Sequence, residues 1–347
     1  INARSGHYGL VTGEPSSMEN YYSSIPMQRT TKIIRKSIFI FLQNYQLFTT
    51  TAAFFAFPFA ASLLLLQSFI PSSSFFPVIY ERLHLLFDAA GFPSSSEFFT
   101  LLNSKVSQTL AISFLAFPFT ISFFLFAKSL VIESLNYSKP THKTTFPSYF
   151  DLLVTQLCNS LLIISAYATC FFLLFFGFNI VDYGFGLSSP RSILLMSATG
   201  AVICSIILAN TLIICNLALV ISGNERIGGY MAILKSCVLI RGRTATALSL
   251  AVPLNLALAA VEALFQYRII RGAYYQEKPE FFCLALEGMF IAYMYSILLV
   301  LDTIATCVFY KSCKTEDEVG ILPYQIDIQD RDHQHTILKI TTIDDFP

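Results

Sequence analysis

Six long apolar runs constrain this chain more than any other feature. They extend over residues 47–70, 110–132, 152–180, 192–222, 245–265 and 281–310. A helix needs about 20 apolar residues to cross the hydrocarbon core of a bilayer, where unpaired backbone groups find no partner. Strands of a membrane barrel alternate over about ten residues, whereas these runs are continuously apolar. The sequence predicts an all-α polytopic membrane protein, a bundle of six transmembrane helices with amphipathic interfacial helices.

The charge content supports a membrane environment and argues against nucleic acid as a partner. Only 13% of the 347 residues are charged, about half of the roughly 25% in soluble domains. The 22 basic residues balance 22 acidic ones, and a nucleic-acid-binding chain needs a basic excess or patch. We expect membrane lipids, and other membrane proteins, as partners, and no nucleic acid.

The distribution of Lys and Arg predicts the orientation. Cytosolic loops carry the excess of these residues, and six spans place both termini on one side. With the N-terminus inside, the inner segments hold sixteen basic residues and the outer segments six. We therefore expect an integral protein of the endomembrane system or plasma membrane with both termini cytosolic.

The chain divides into four parts by composition. Residues 1–17 have no periodic pattern and are interpreted as leader or non-native sequence before Met18. Residues 18–46 form a cytosolic basic amphipathic helix, residues 47–310 the membrane domain, and residues 311–347 an acidic cytosolic tail. The tail is rich in acids and poor in large apolar clusters, which is typical of solvated segments without stable structure.

Basic residues accompany amphipathic segments on the predicted cytosolic side. One apolar face contains Ile34, Ile38, Phe41, Tyr45 and Phe48; a second contains Ile227, Met231, Leu234 and Val238; a third, on the outer side, contains Ile79, Leu83, Leu86 and Ala90. Helical spacing of this kind predicts helices at the membrane surface. Candidate contacts to lipid headgroups are Arg29, Lys32, Arg35, Lys36, Lys235, Arg241 and Arg243. The alternative is a basic flank that only sets topology.

A repeated motif introduces prolines into the spans. Residues 54–62 (FFAFPFAAS) reappear as residues 114–122 (FLAFPFTIS) in a span of opposite direction. Pro58, Pro118 and Pro253 each remove one helix hydrogen bond, so we expect kinks in spans one, two and five. Inverted repeats with broken helices are a feature of transporters, although two Phe-rich runs also match by composition alone.

Three carboxylates within the spans are candidates for an ion or proton site. Glu262 and Glu287 lie at similar depth, where they either share a proton or cation or pair with Arg268 and Arg271. Asp302 lies near the inner end of span six, within reach of the interface or Lys311. Ionisable residues in spans are costly and often functional, but ion pairing for structure is the alternative. Interhelical hydrogen bonds are expected from Asn159, Asn210, Asn216 and Asn255.

No sequence motif predicts an enzyme. The chain lacks a Walker A loop, a Gly-x-Ser-x-Gly elbow and a His-Glu-x-x-His pair. All five histidines lie outside the spans and His333-x-His335 alone is too weak to predict zinc, so we expect no metal and no cofactor. Cys237, Cys307 and Cys313 lie near the cytosolic face, where S-acylation and a plain thiol are both open.

Several ordered motifs carry a family resemblance. They are Asn44-Tyr-Gln-Leu-Phe48, the two Phe-Pro-Phe spans, Ser104-Lys105 before span two, and the element from Gly229 to Arg243. Residues 18–310 resemble a large plant family of six-span membrane proteins of unknown biochemical function. The Ala-Ile-Leu-Lys-Ser and Leu-Ile-Arg-Gly-Arg pair within residues 229–243 is also similar to the membrane domain of some bacterial glycerophosphodiester phosphodiesterases. Their soluble catalytic domain has no counterpart in the sequence, so the resemblance implies no activity.

Two functions follow as hypotheses. The first is a non-enzymatic membrane organiser or regulator that acts through basic cytosolic interfacial helices. The second is a secondary transporter or channel, in which the proline-kinked helices change geometry and Glu262 with Glu287 bind the coupling ion.

Overall fold

The structure, a computed structural model, describes residues 26–91, 97–136, 145–185, 190–270 and 281–341. All regular structure in these ranges is helical, which confirms the predicted fold class. The α-helices are Pro26–Gln43, Tyr45–Thr51, Phe57–Phe69, Phe75–Ala89, Glu97–Phe119, Leu125–Asn136, Thr145–Phe185, Pro190–Glu225, Tyr230–Ile240, Thr244–Phe265 and Phe281–Thr341. The predicted leader, residues 1–17, lies outside the described residues.

Six of the helical segments are long and apolar enough to cross a membrane. These spans one to six are Tyr45–Ser72, Phe99–Asn136, Tyr149–Ile180, Leu194–Glu225, Thr244–Ile269 and Phe282–Thr315. Span two begins eleven residues before the predicted position because its polar first turns pack on the helix Phe75–Ala89. There the Asn103 side chain donates to the backbone carbonyl of Tyr80 at 3.4 Å.

Two short helices frame one face of the bundle. The basic helix, Pro26–Gln43, begins at a proline, which suits a first helical position, and ends at Asn44, whose φ of −113° and ψ of 38° are not helical. The linker helix, Tyr230–Ile240, joins spans four and five. The basic helix packs against spans five and six. We call this face, which also holds the end of span six, the proximal face, and the opposite one the distal face.

The hydrophobic core is largest at the proximal face. One cluster joins all six spans with the basic and linker helices, and its fully buried members include Phe48, Leu125, Leu152, Leu217 and Ile304. Farther from this face the core divides. One smaller cluster contains Phe59, Phe265 and Tyr295 of spans one, five and six. Another joins Phe87 of Phe75–Ala89 and Phe99 of span two to Phe171 and Phe178 of span three.

Wide helical turns occur beside two of the three prolines. Ala52–Ala56 is a π-helical turn just before Pro58, and Thr120–Phe124 is one just after Pro118. Because Pro58 cannot donate to the carbonyl of Phe54, the backbone widens there. The spans run in opposite directions, so both turns lie on the proximal side of their proline, where they contact each other. The third proline, Pro253, lies within the continuous helix of span five.

The first Phe-Pro-Phe motif packs through its aromatic rings against the segment that follows the second motif. Phe59 of span one stacks on Phe124 of span two with ring centroids 4.6 Å apart. Phe55 lies 4.8 Å from Phe126 between ring centroids. Spans one and two therefore meet as an antiparallel pair at the π-helical turns, with the two copies of the motif offset from each other.

The structure shows which sides of the two proximal helices pack on the bundle. The basic helix turns Thr30, Ile33 and Ser37 toward the bundle, while the predicted Ile38 is exposed. The linker helix buries Ala232, Ile233, Ser236 and Ile240, whereas the predicted Met231, Leu234 and Val238 are exposed. Each helix has apolar residues on two sides. One side packs on the bundle and the other faces away from it toward lipid. The spacing of apolar residues in the sequence does not distinguish the two sides.

The acidic tail also differs from its prediction. The helix of span six continues without a break to Thr341, although the composition of residues 311–347 favoured a segment without stable structure. Helix formation is limited by nucleation, and this segment extends a helix that the membrane span has already nucleated.

Candidate functional site

A basic cavity opens at the proximal face between the basic helix and span six. Its volume is about 570 Å³. Arg29, Lys32 and Lys36 line it from the basic helix, where spacings of three and four place them on one side. Arg243 at the start of span five and Lys311 near the end of span six complete the set of cationic residues.

The remainder of the cavity wall is mainly apolar. Ile33 and Ile40 of the basic helix face Val308 and Phe309 of span six. No acidic residue of the described part of the chain lines the cavity. Lys311 donates to the carbonyl of Leu135 at 2.7 Å, which fixes its ammonium at the end of span two. Cationic groups from three helices therefore meet beside an apolar wall, an arrangement that suits an anionic amphiphile.

Three predicted headgroup contacts lie outside this cavity. Arg35 is exposed on another side of the basic helix. Arg241 and Arg243 flank Gly242, whose φ of +82° is readily adopted only by glycine. Because of this turn, Arg243 lines the basic cavity, whereas Arg241 lines a separate cavity at the proximal end of spans four and five. Lys235 forms a salt bridge with Glu225.

Glu225, at the end of span four, connects three proximal elements. Its carboxylate accepts hydrogen bonds from Lys235 of the linker helix and, at 2.5 Å, from the hydroxyl of Tyr310 in span six. Lys314 of the same helix lies 3.8 Å away between Nζ and Oε1. Glu225 had no predicted role, because it follows the predicted end of span four and its partners are distant in sequence.

The linker helix is also fixed to span three by its first residues. Gly229 has a φ of +70° and donates its N–H to Oγ1 of Thr155 at 2.8 Å. The Thr155 hydroxyl in turn lies 2.9 Å from the hydroxyl of Ser222 in span four. A Cβ at Gly229 would lie 3.2 Å from the side chain of Val154. Both backbone freedom and small size are therefore needed at this glycine.

A lysine is buried within the spans, close to the predicted carboxylate Asp302. Lys128 of span two is only 3% exposed, and its ammonium donates to Oδ1 of Asn216 in span four at 3.1 Å. The same ammonium lies 4.6 Å from the ring centroid of Phe124, a cation–π contact. Asp302 of span six supplies the opposite charge that acts on Lys128. The expected partner Lys311 instead lies at the basic cavity.

Glu262 and Glu287 each have a partner of their own. Oε1 of Glu262 accepts a hydrogen bond from the Tyr295 hydroxyl at 2.8 Å. Oε1 of Glu287 accepts one from Nε of Arg268 at 2.6 Å, and both side chains are partly exposed near the distal face. The structure therefore matches one of the predicted alternatives, pairing of Glu287 with Arg268. Arg271, the other predicted partner, lies outside the described residues.

The predicted asparagines divide into two groups. Asn159 donates to the carbonyl of Cys215 at 3.0 Å, and Asn216 accepts from Lys128, so both connect helices as predicted. Asn210 and Asn255 are exposed on spans four and five, and their side chains form no hydrogen bond within the described ranges. The candidate S-acylation sites differ too, since Cys237 is exposed whereas Cys307 and Cys313 are buried.

The fold and its proximal cavity define a six-span integral membrane protein with a cationic pocket at one face. The family described as Domain of unknown function (DUF8558) matches residues 18–322, and the chain belongs to this family. The match includes the six spans, the basic helix and every residue of the basic cavity. No curated protein and no solved structure matches the chain.

Proposed function

We propose that this protein is a non-enzymatic organiser or regulator of membrane components that binds anionic phospholipids through its basic proximal helices. The observation that carries the proposal is the convergence of five cationic residues on one cavity with an apolar wall. The predicted orientation places this cavity at the cytosolic leaflet, where anionic lipids are concentrated. The bound phosphate lies among the cations, and the acyl chains lie against Ile33 and Phe309.

The charge of the cavity favours a phosphomonoester headgroup such as that of phosphatidic acid. A zwitterionic headgroup brings no net charge to five cationic residues, whereas a phosphomonoester carries about −1.5 to −2 at neutral pH. Each basic residue near the membrane surface contributes about 1 kcal/mol to attraction for anionic lipid. Lys32 and Lys36 have no ion pair within the described residues, so their charges are available to a ligand.

Two adjacent residues of the basic helix provide a matched test. Lys36 lines the cavity and Arg35 does not, although each carries one positive charge on the same helix. We expect Lys36→Ala to weaken binding of dioctanoyl phosphatidic acid about fivefold, equivalent to about 1 kcal/mol. Arg35→Ala should leave the dissociation constant nearly unchanged. Native mass spectrometry of the full chain in detergent measures both, with dioctanoyl phosphatidylcholine as the neutral lipid.

The outcomes separate a defined site from general electrostatic attraction. Equal weakening by Lys36→Ala and Arg35→Ala would indicate an unspecific basic surface and would contradict the proposal. Equal binding of phosphatidic acid and phosphatidylcholine by the unaltered protein would contradict it as well.

A second candidate function is secondary transport. It is favoured by the paired π-helical turns of spans one and two and by the opposite charges of Lys128 and Asp302 within the membrane. In this candidate the coupling ion binds at Asp302 rather than between Glu262 and Glu287, which have separate partners. Proteoliposome flux tests it: Asp302→Asn should abolish movement that Glu262→Gln/Glu287→Gln retains. Absence of flux from well-folded protein across a broad solute panel would exclude it.

The cellular setting belongs to the same proposal. We place the protein in the endomembrane system or plasma membrane with cytosolic termini, on the strength of the sixteen-to-six distribution of basic residues. Glycosylation mapping at introduced sequons in the loops tests the orientation.

A further inference from the structure

A cleft separates spans four and five within the membrane. Three adjoining cavities of about 340, 480 and 670 Å³ follow it, and Leu248 of span five lines all three. The cleft begins beside Arg241 and Thr244 at the proximal face and continues to Ser205 of span four. Its largest cavity falls within the 300–1,000 Å³ typical of small-molecule sites.

Polar side chains lie along this cleft at the depth of the hydrocarbon. Asn210 and Asn255 are exposed on its two walls and have no side-chain hydrogen bond within the described ranges. Asp302 lines the largest cavity, and its carboxylate accepts no hydrogen bond from the described residues. Asn216 lines the same cavity and holds Lys128 through its Oδ1. A ligand that supplies donors and acceptors would satisfy these groups.

The depth of the site distinguishes it from the basic cavity. Asp302 precedes Lys311 by nine residues, which corresponds to about 14 Å along a helix. A hydrocarbon core is about 30 Å thick, so we expect the carboxylate to lie well inside it and deeper than the basic cavity. The walls between the polar groups are apolar, formed by residues such as Leu212, Leu248 and Val252.

We infer that this cleft binds a neutral lipid that bears a hydroxyl group, with the hydroxyl donating to Asp302 and accepting from Asn255. The lipid is neutral because the site already contains one residue of each sign, Asp302 in the cavity wall and Lys128 bound to Asn216 of that wall, and a charged ligand would add a net charge in the hydrocarbon. The apolar walls fit a hydrocarbon body. Diacylglycerol and a sterol share this chemistry. The inference does not depend on the basic cavity, because the two sites share a single lining residue, Phe309, and none of the polar residues that the inference uses.

Photolabelling tests the site in phosphatidylcholine liposomes that contain the full chain. The probes are a photoactivatable diacylglycerol and a photoactivatable sterol, each competed by its unlabelled parent. Leu248→Trp fills the cleft, and Asn255→Leu removes an exposed amide without changing charge. Leu161→Trp is the control, because Leu161 is an exposed residue of span three outside the cleft. All variants are first compared by melting temperature.

Saturable labelling by one probe in peptides of spans four to six is expected. Asn255→Leu should weaken it about fivefold, the effect of one hydrogen bond. Leu248→Trp should abolish it, and Leu161→Trp should retain it. The probe that labels identifies diacylglycerol or sterol as the source. Labelling that does not saturate, or that persists in Leu248→Trp, would indicate ordinary surrounding lipid and overturn the inference; no labelling by either probe would overturn it too.

Discussion

The proximal and distal halves of the bundle use charge in different ways. In the proximal half, Glu225 connects span four with the linker helix and span six, and Lys128 connects spans two and four beside Asp302 of span six. In the distal half, Arg268 and Glu287 join only the neighbouring ends of spans five and six. The core is likewise continuous across all spans proximally and divided distally. The charged residues of the proximal half therefore connect several helices, whereas the distal pair connects only two.

Removal of Lys128 should produce the largest effect on stability. Lys128→Met leaves Asp302 without its opposing charge and Asn216 without its donor. The lost hydrogen bond from a charged group should cost about 1.5–3 kcal/mol. Chemical unfolding of the purified protein in detergent should show a corresponding decrease in the free energy of unfolding.

A control on the same helix keeps this prediction specific. Lys105→Met makes the same substitution at an exposed position of span two and should change the free energy of unfolding little. The double variant Lys128→Met/Asp302→Asn should recover part of the stability, since it removes both charges. Equal stability of Lys128→Met and Lys105→Met would mean that Lys128 and its bond to Asn216 have no structural role.

Substitution of Glu225 should produce an intermediate effect. Glu225→Gln removes the charge that holds Lys235 and Lys314 and weakens the bond from Tyr310. Because both lysines are exposed and only Tyr310 is buried, we expect a loss of about 1–2 kcal/mol. Amide exchange in residues 230–240 should become faster, as measured by hydrogen–deuterium exchange. Glu133→Gln, at an exposed position of span two, should leave that exchange unchanged; unchanged exchange in Glu225→Gln itself would contradict the connection.

Substitution in the distal pair, Arg268 and Glu287, should produce the smallest effect on stability. Glu287→Gln removes a partly exposed partner of an exposed arginine, and such pairs contribute little to stability because solvent screens them. The melting temperature should remain within error of the unaltered protein. A decrease as large as that in Glu225→Gln would break the contrast between the two halves.

The sequence predicted the positions of the spans more accurately than it predicted the contacts between side chains. Each predicted span lies within or close to an observed one, because a long apolar run has no alternative in lipid. The proximity of Lys128 and Asp302 was not predicted, although only four charged residues occur within the predicted spans. Their opposite signs were a usable signal, since charges inside membranes tend to pair. The basic helix was predicted, but the residues through which it packs on the bundle, Thr30, Ile33 and Ser37, were not.

The sequence by itself determined that the chain crosses a membrane six times as helices, because hydrogen bonding within each helix is local and lipid excludes other backbone structures. It also determined which residues are basic on the proximal side. Only the tertiary structure decided that Arg29, Lys32 and Lys36 meet Lys311, nearly the whole chain away, in one cavity. It alone placed Arg241 and Arg243 in different cavities. The physical reason is that the packing of helices depends on which side chains fit together across spans, and no local pattern records that fit.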